Sequence, residues 1–140
     1  MTSGRMYVGR RREMTVEDWQ ALGWSEPDAE RYARLDHTTT TVVVVDADGV
    51  RPLTHHLRHS PTGFEWGYLG SGPAELARCI LLDHYQPAPP ADPWQADGLP
   101  ISYQAFKRDV IARLPRHGTW SLTSSAISRW AQTQAARSER

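Results

Sequence analysis

Residues 38–45 read Thr-Thr-Thr-Thr-Val-Val-Val-Val, eight consecutive β-branched side chains. Branching at Cβ stiffens χ1 and suits a pleated, half-buried surface better than a helix, so this run commits the chain to a sheet. Asp46-Ala47-Asp48-Gly49 reads as the turn that follows, with Gly49 fitted to positive φ. Residues 50–57 are then expected to return as a second strand, with Leu53, His55 and Leu57 on one face and Thr54, His56 and Arg58 on the other. Residues 6–10 read as a further short strand at an edge. Residues 119–122 read as another, with Trp120 and Leu122 sharing a face.

Helical periodicity fills the remainder. Thr15 with Asp18, and Ser25 with Pro27 in a first turn, mark two short helices within residues 15–35. The second is acidic at its start, which argues against a DNA-reading helix-turn-helix, because a recognition helix must approach phosphates. Residues 73–85 carry Leu76, Ala77, Ile80 and Leu81 over a wide apolar arc, with Cys79 beside them, and read as the central core helix. Ser102 caps a helix over 102–114, in which Tyr103, Phe106, Val110 and Leu114 recur at helical spacing. Thr123 or Ser124 caps a last helix over 124–133, and residues 134–140 are expected to fray. Five prolines within 86–100 make that stretch an extended linker, with Trp94 pinning it to the body. The expectation is one α+β domain over 1–140: a small, mainly antiparallel sheet, about three helices on one face, and a helical insertion at 15–35.

Charge and composition narrow the function classes. Lys+Arg and Asp+Glu are both 16, so the net charge is zero. The signs are segregated, however, with basic ends and an acidic middle. A basic face for nucleic acid is one reading. Basic ends packed over the acidic segments are the other, and general nucleic-acid binding ordinarily shows a net basic excess. The sequence contains no apolar run of membrane-spanning length, and the first residues lack a signal-peptide core, so a cytoplasmic protein with no membrane partner is expected. The single Cys79 excludes an internal disulfide framework. Assembly with a second copy is compatible with the sequence.

Chemistry concentrates in residues 55–73, HHLRHSPTGFEWGYLGSGP. Gly70-Ser71-Gly72 stands directly before a helix start. There, freed backbone N–H groups and the helix dipole can hold a phosphate or carboxylate. Arg58 and His59 add donors, Glu65 an acceptor, and Trp66 and Tyr68 faces on which a base can stack. The same residues also suit a tight strand-to-helix connection beside an aromatic core plug, and they lack the full phosphate-loop spacing. His55, His56 and His59 with Glu65 do not make a metal set, since their spacing falls on a strand and loop. Neither a metal nor another cofactor is expected. Glu65 with His59 is the compact acid–base pairing, yet no nucleophile framework surrounds Ser60 or Ser71, so binding is favoured over catalysis.

The block Ser60-Pro61-Thr62-Gly63-Phe64-Glu65-Trp66-Gly67-Tyr68, then Gly70-Ser71-Gly72-Pro73-Ala74 and Leu76-Ala77, resembles an uncharacterised small-domain family of prokaryotic, viral and other mobile-element genomes. Tyr103-Gln104-x-Phe106-Lys107, Leu114-Pro115 and Trp120-x-Leu122-Thr123 are similar to its second half, so the likeness spans roughly residues 40–131. It implies a compact α+β domain of unknown function, in a setting where small accessory proteins act by binding, counter-defence among the roles. The resulting expectation is a non-enzymatic binding accessory protein that engages a protein partner or sequesters a phosphate-bearing small ligand. The ligand-facing residues would be Arg58, His59, Glu65, Trp66, Tyr68, Gly70, Ser71 and Gly72. The alternatives are a nucleotide-handling hydrolase using Glu65 and His59, and a nucleic-acid binder using the basic termini.

Overall fold

A computed structural model describes residues 4–33, 38–60, 63–89 and 97–138. Four antiparallel strands, β1 (Met6–Glu13), β2 (Thr38–Asp46), β3 (Gly49–Pro52) and β4 (Trp120–Thr123), form one sheet in the order β3-β2-β1-β4. Two short helices, α1 (Val16–Ala21) and α2 (Glu26–Ala33), lie between β1 and β2. Then come α3 (Ser71–Tyr85), α4 (Tyr103–Asp109), a 3-10 turn at Ile111–Arg113, and α5 (Ser124–Ser138). The α+β class therefore stands, as does the β-branched run at the heart of the sheet. Among the described residues, no helix is long and apolar enough to cross a membrane.

The first strand differs from expectation. It continues through Arg10-Arg11-Arg12 to Glu13 and lies inside the sheet, paired with β2 on one side and β4 on the other. Alternation explains how three arginines fit there. Arg10 and Arg12 point away from the core, while the inward Arg11 is paired with Glu65 and stacks 5.0 Å over the Trp66 ring. Gly9, opposite Trp120 in the register, is required by close approach: a Cβ there would lie 2.2 Å from the Trp120 indole.

The inner face of the sheet carries Tyr7, Val42, Val44 and Trp120. It is closed by Leu76 and Ile80 of α3, Phe106 of α4 and Ile127 of α5, all buried. Trp66 and Trp120 meet edge to face at 5.4 Å. Strand β3 ends at Pro52, well short of residue 57, because beyond Leu53 the backbone amides turn to α3 rather than to β2. Helix α3 starts at Ser71, two residues before Pro73, with Gly70 at its cap. It ends where Gln86 enters the left-handed region at φ 47°. The helix expected over 102–114 breaks at Val110 and resumes as a 3-10 turn. The last helix runs past residue 133 to Ser138, with Gln134 donating to Asp109 at 2.9 Å. Trp94 lies outside the described residues.

Candidate functional site

Helix α3 is apolar around most of its circumference, yet it buries two side chains of opposite charge one turn apart, Glu75 (0% exposed) and Arg78 (6%). With Cys79 they occupy positions i, i+3 and i+4, one face of the helix. All three serve the same stretch of backbone. The Glu75 carboxylate accepts from three consecutive amides, Arg58 at 2.9 Å, His59 at 3.1 Å and Ser60 at 3.0 Å. It also lies 3.0 Å from Nε2 of His55. Arg78 Nη1 donates to the His56 carbonyl at 2.6 Å, and the His56 amide donates to Cys79 Sγ at 3.3 Å. Three successive amides converging on one carboxylate form an anion cradle of the kind found in phosphate loops, and here the protein fills it with its own side chain.

The electrostatics follow. Burial pushes the Glu75 carboxyl up, but the amides of Arg58 and Ser60, His55 and the His59 amide together hold it below the ordinary carboxylate value. Arg78 forks onto Asp97 with two bonds of 2.8 Å, and Arg58 Nη1 reaches the same carboxylate at 3.1 Å. That hydrogen bonding from Arg78, working against burial, lowers Asp97. Burial raises the Cys79 thiol to about 11, so it stays protonated at neutral pH.

Above this scaffold residues 54–58 are exposed, and Leu57 keeps 64% of its surface in solvent. A cleft of about 280 Å³ opens beside them, lined by Arg58, Asp97, Leu99, Ile101, Ser102 and Tyr103. His59 Nε2 lies 2.7 Å from the Tyr103 hydroxyl at its side.

The other sequence-selected residues are dispersed. Trp66 is fully buried, its Nε1 donating to the Pro115 carbonyl at 3.1 Å, so it is a core residue and not a stacking face. Tyr68 is half-buried, with the Arg116 guanidinium 4.6 Å over its ring. Gly70 is pressed against Tyr68, and Gly72 is buried against the Glu65 methylenes. Ser71 is exposed at the start of α3. Glu65 is held by Arg11, whereas His59 engages Tyr103, so the two members of the acid–base pairing have separate partners. Of the eight residues, Arg58 and His59 lie on the anchored segment, Ser71 is exposed, and the other five belong to the packing around the start of α3. Among the described residues, no group of three or more His, Cys, Asp or Glu side chains is arranged to hold a metal.

Three of the four arginines in the first twelve residues are paired within the chain, and Arg10 is exposed. Arg5 pairs with Asp83, Arg11 with Glu65 and Arg12 with Asp18. Glu75 and Arg78 were not among the residues singled out from sequence. Their signal is two opposite charges three apart inside an otherwise apolar arc, a contradiction that a solvent-facing helix does not pose.

The model of a family described as a family of unknown function (DUF6166) matches residues 30–133. No curated protein and no solved structure matches the chain.

Proposed function

The chain belongs to the family of unknown function DUF6166, and from its geometry we propose that it is a non-enzymatic binding protein that engages a protein partner through the exposed segment 54–58. One observation carries the reading: a buried carboxylate and a buried guanidinium direct their hydrogen bonds to the backbone of an exposed segment. Buried ions are weak stabilisers, since a well-packed apolar pair of the same volume serves stability as well. What this pair adds is a fixed loop shape, and a surface ordered beforehand loses less entropy when it binds.

The chemistry favours a protein over a phosphate-bearing ligand. The amide cradle is filled by Glu75, and Asp97 engages both Arg58 and Arg78. A phosphate arriving there meets donors already committed and two resident carboxylates. Leu57 between His56 and Arg58 instead offers an apolar anchor with a polar rim, the composition of a protein contact. The setting in this reading is the cytoplasm of a cell carrying a mobile element, as the family resemblance suggests.

The test places a photo-crosslinking side chain at position 57 and, as a control, at exposed Leu22, in producing cells. A nucleotide and cyclic-nucleotide thermal-shift panel on the wild type and Arg58→Ala runs beside it. A discrete protein adduct from position 57, absent from position 22 and lost in Glu75→Gln, supports the reading. Equal labelling from both positions, or a nucleotide-dependent rise in Tm that Arg58→Ala abolishes, overturns it.

A further inference from the structure

The outer face of the sheet is a second surface, opposite the helices and independent of the 54–58 segment. Strand alternation and register place Met6, Val8, Val43, Val45, Val50 and Pro52 on it, side by side. Tyr7, Val42, Val44 and Trp120 occupy the inner face. None of the five aliphatic side chains of the outer patch belongs to the described core or to the side chains packed on it, and Val50 is 67% exposed. Val50 and Pro52 are exposed and the other four half-buried, so an apolar patch continuous across three strands lies open to a partner.

Charge is distributed along this face with opposite signs at its two ends. Arg10, exposed, and Arg12, tied to Asp18, lie at the end toward Glu13 and Thr38. The exposed Asp48 stands at the other, at the tip of the β2–β3 hairpin. The apolar patch is centred near Tyr7 and Val44 in the register, and at about 3.4 Å per residue both Arg10 and the hairpin tip stand roughly 10 Å from that centre. A face apolar in the middle and oppositely charged at equal distances is complementary to itself after a half-turn.

We propose that a second copy of this chain docks on this face, the two sheets packing across a two-fold axis with Arg10 of each copy over the Asp48 hairpin tip of the other. The dimer leaves both 54–58 segments outward, on the helix sides, so a multivalent partner engages two at once. Failure of the dimer leaves the single-segment reading intact, and the reverse holds as well.

Sedimentation of the full chain over a dilution series tests the proposal. The wild type is expected at twice 15.8 kDa at high concentration. Val50→Asp places a charge within the apolar patch and gives the monomer. Arg10→Asp or Asp48→Arg alone juxtaposes like charges twice by symmetry and weakens association about tenfold each. Arg10→Asp combined with Asp48→Arg restores opposite signs and recovers the wild-type midpoint. Circular dichroism checks that each variant is folded, and the two charge variants, both on exposed positions, keep the test decisive if Val50→Asp is not. A chain that stays at 15.8 kDa at every concentration it tolerates overturns the proposal. So does a dimer that the charge reversals leave unchanged, or one that the double exchange does not rescue.

Discussion

Two segments of this molecule are mostly solvent-exposed and differ in what holds them. The helical pair α1–α2 is organised by its own sequence. Thr15 and Asp18 form a reciprocal capping box, Ser25 caps the second helix through the Asp28 amide, and Trp19 and Trp24 meet edge to face at 6.4 Å. Segment 54–60 has no regular structure of its own and is held by residues 15 to 23 positions away, on α3. Burial alone would rank the two alike. The difference is that the helical pair can change without disturbing the core, whereas segment 54–60 cannot be altered from beneath without leaving buried charges unpaired. A shape specified at that energetic cost is the better candidate for recognition.

Removing strand β1 is expected to be the most damaging change. Strand β1 supplies Arg12 to the helical pair and Arg11 to Glu65, and it joins β2 to β4. The family match begins at residue 30 and so leaves this central strand out. A fragment of residues 30–133 loses two ladders and Tyr7 from the core. It is expected to show no cooperative thermal transition and a collapsed amide NMR spectrum, while the full chain melts cooperatively.

Next in size is Glu75→Ala. It strands three amides and the His55 ring nitrogen, while Arg78 keeps its Asp97 partner. The expected loss is about 3–5 kcal/mol in urea unfolding, the sum for several buried donors left unsatisfied. Thr15→Ala, which removes the cap of α1, is expected to cost about 1 kcal/mol. Equal costs would erase the distinction between the two segments.

Acid separates them without mutation. Glu75 titrates below its ordinary 4.5 in the folded chain, so its contribution is fully present above that value and is lost as pH falls through the folded one. His84 is buried with Nδ1 unpartnered among the described residues, and burial, then Arg5, depresses it from 6.5. Its neutral form therefore stabilises fully above 6.5, and that contribution fades as pH drops toward the folded value. Stability is expected to decline in two stages on acidification. Glu75→Gln should diminish the lower stage, to which the depressed Asp18, Asp97 and Asp109 carboxyls also contribute, and His84→Gln the upper. Exchange of the Arg58–Ser60 amides should accelerate in the lower stage only.

What was legible in the sequence was what neighbours decide. The strand at Thr38–Asp46, its Asp-Gly turn, the cap at Ser102 and the two short N-terminal helices all depend on residues within a turn or two. What was not legible depends on partners far along the chain. Arg10-Arg11-Arg12 resembles a solvated edge until Glu65, 54 positions away, neutralises the middle one. Residues 53–57 carry strand-like side chains, but their backbone is claimed by α3. Trp66 and Gly70–Gly72 have the composition of a ligand cradle. The cradle that forms lies instead at Arg58–Ser60, built from backbone groups that no side-chain motif advertises.

The smallest expected effect sharpens the comparison most, because it asks whether α1–α2 can be dispensed with. The Val42 carbonyl accepts from Leu53, so even-numbered β2 residues turn their backbone groups toward β3 and odd-numbered ones toward β1. Arg12 and Thr39, opposite one another, are therefore a hydrogen-bonded pair, the kind that a two-residue type I′ turn closes. Replacing residues 13–38 with Asn-Gly joins β1 to β2 directly. It discards the Thr15–Asp18 capping box, the Ser25 cap, the Trp19–Trp24 pair and the solvated Arg12–Asp18 bridge, but it leaves Arg11, Glu65 and the whole α3 face in place. The shortened chain is expected to melt within about 5 °C of the full chain, and its position-57 crosslinking should be unchanged. A larger loss of Tm would mean that the helical pair contributes to the core through Ala29, its one fully buried side chain among those described. Unchanged stability with lost crosslinking would assign part of the recognition surface to the helices.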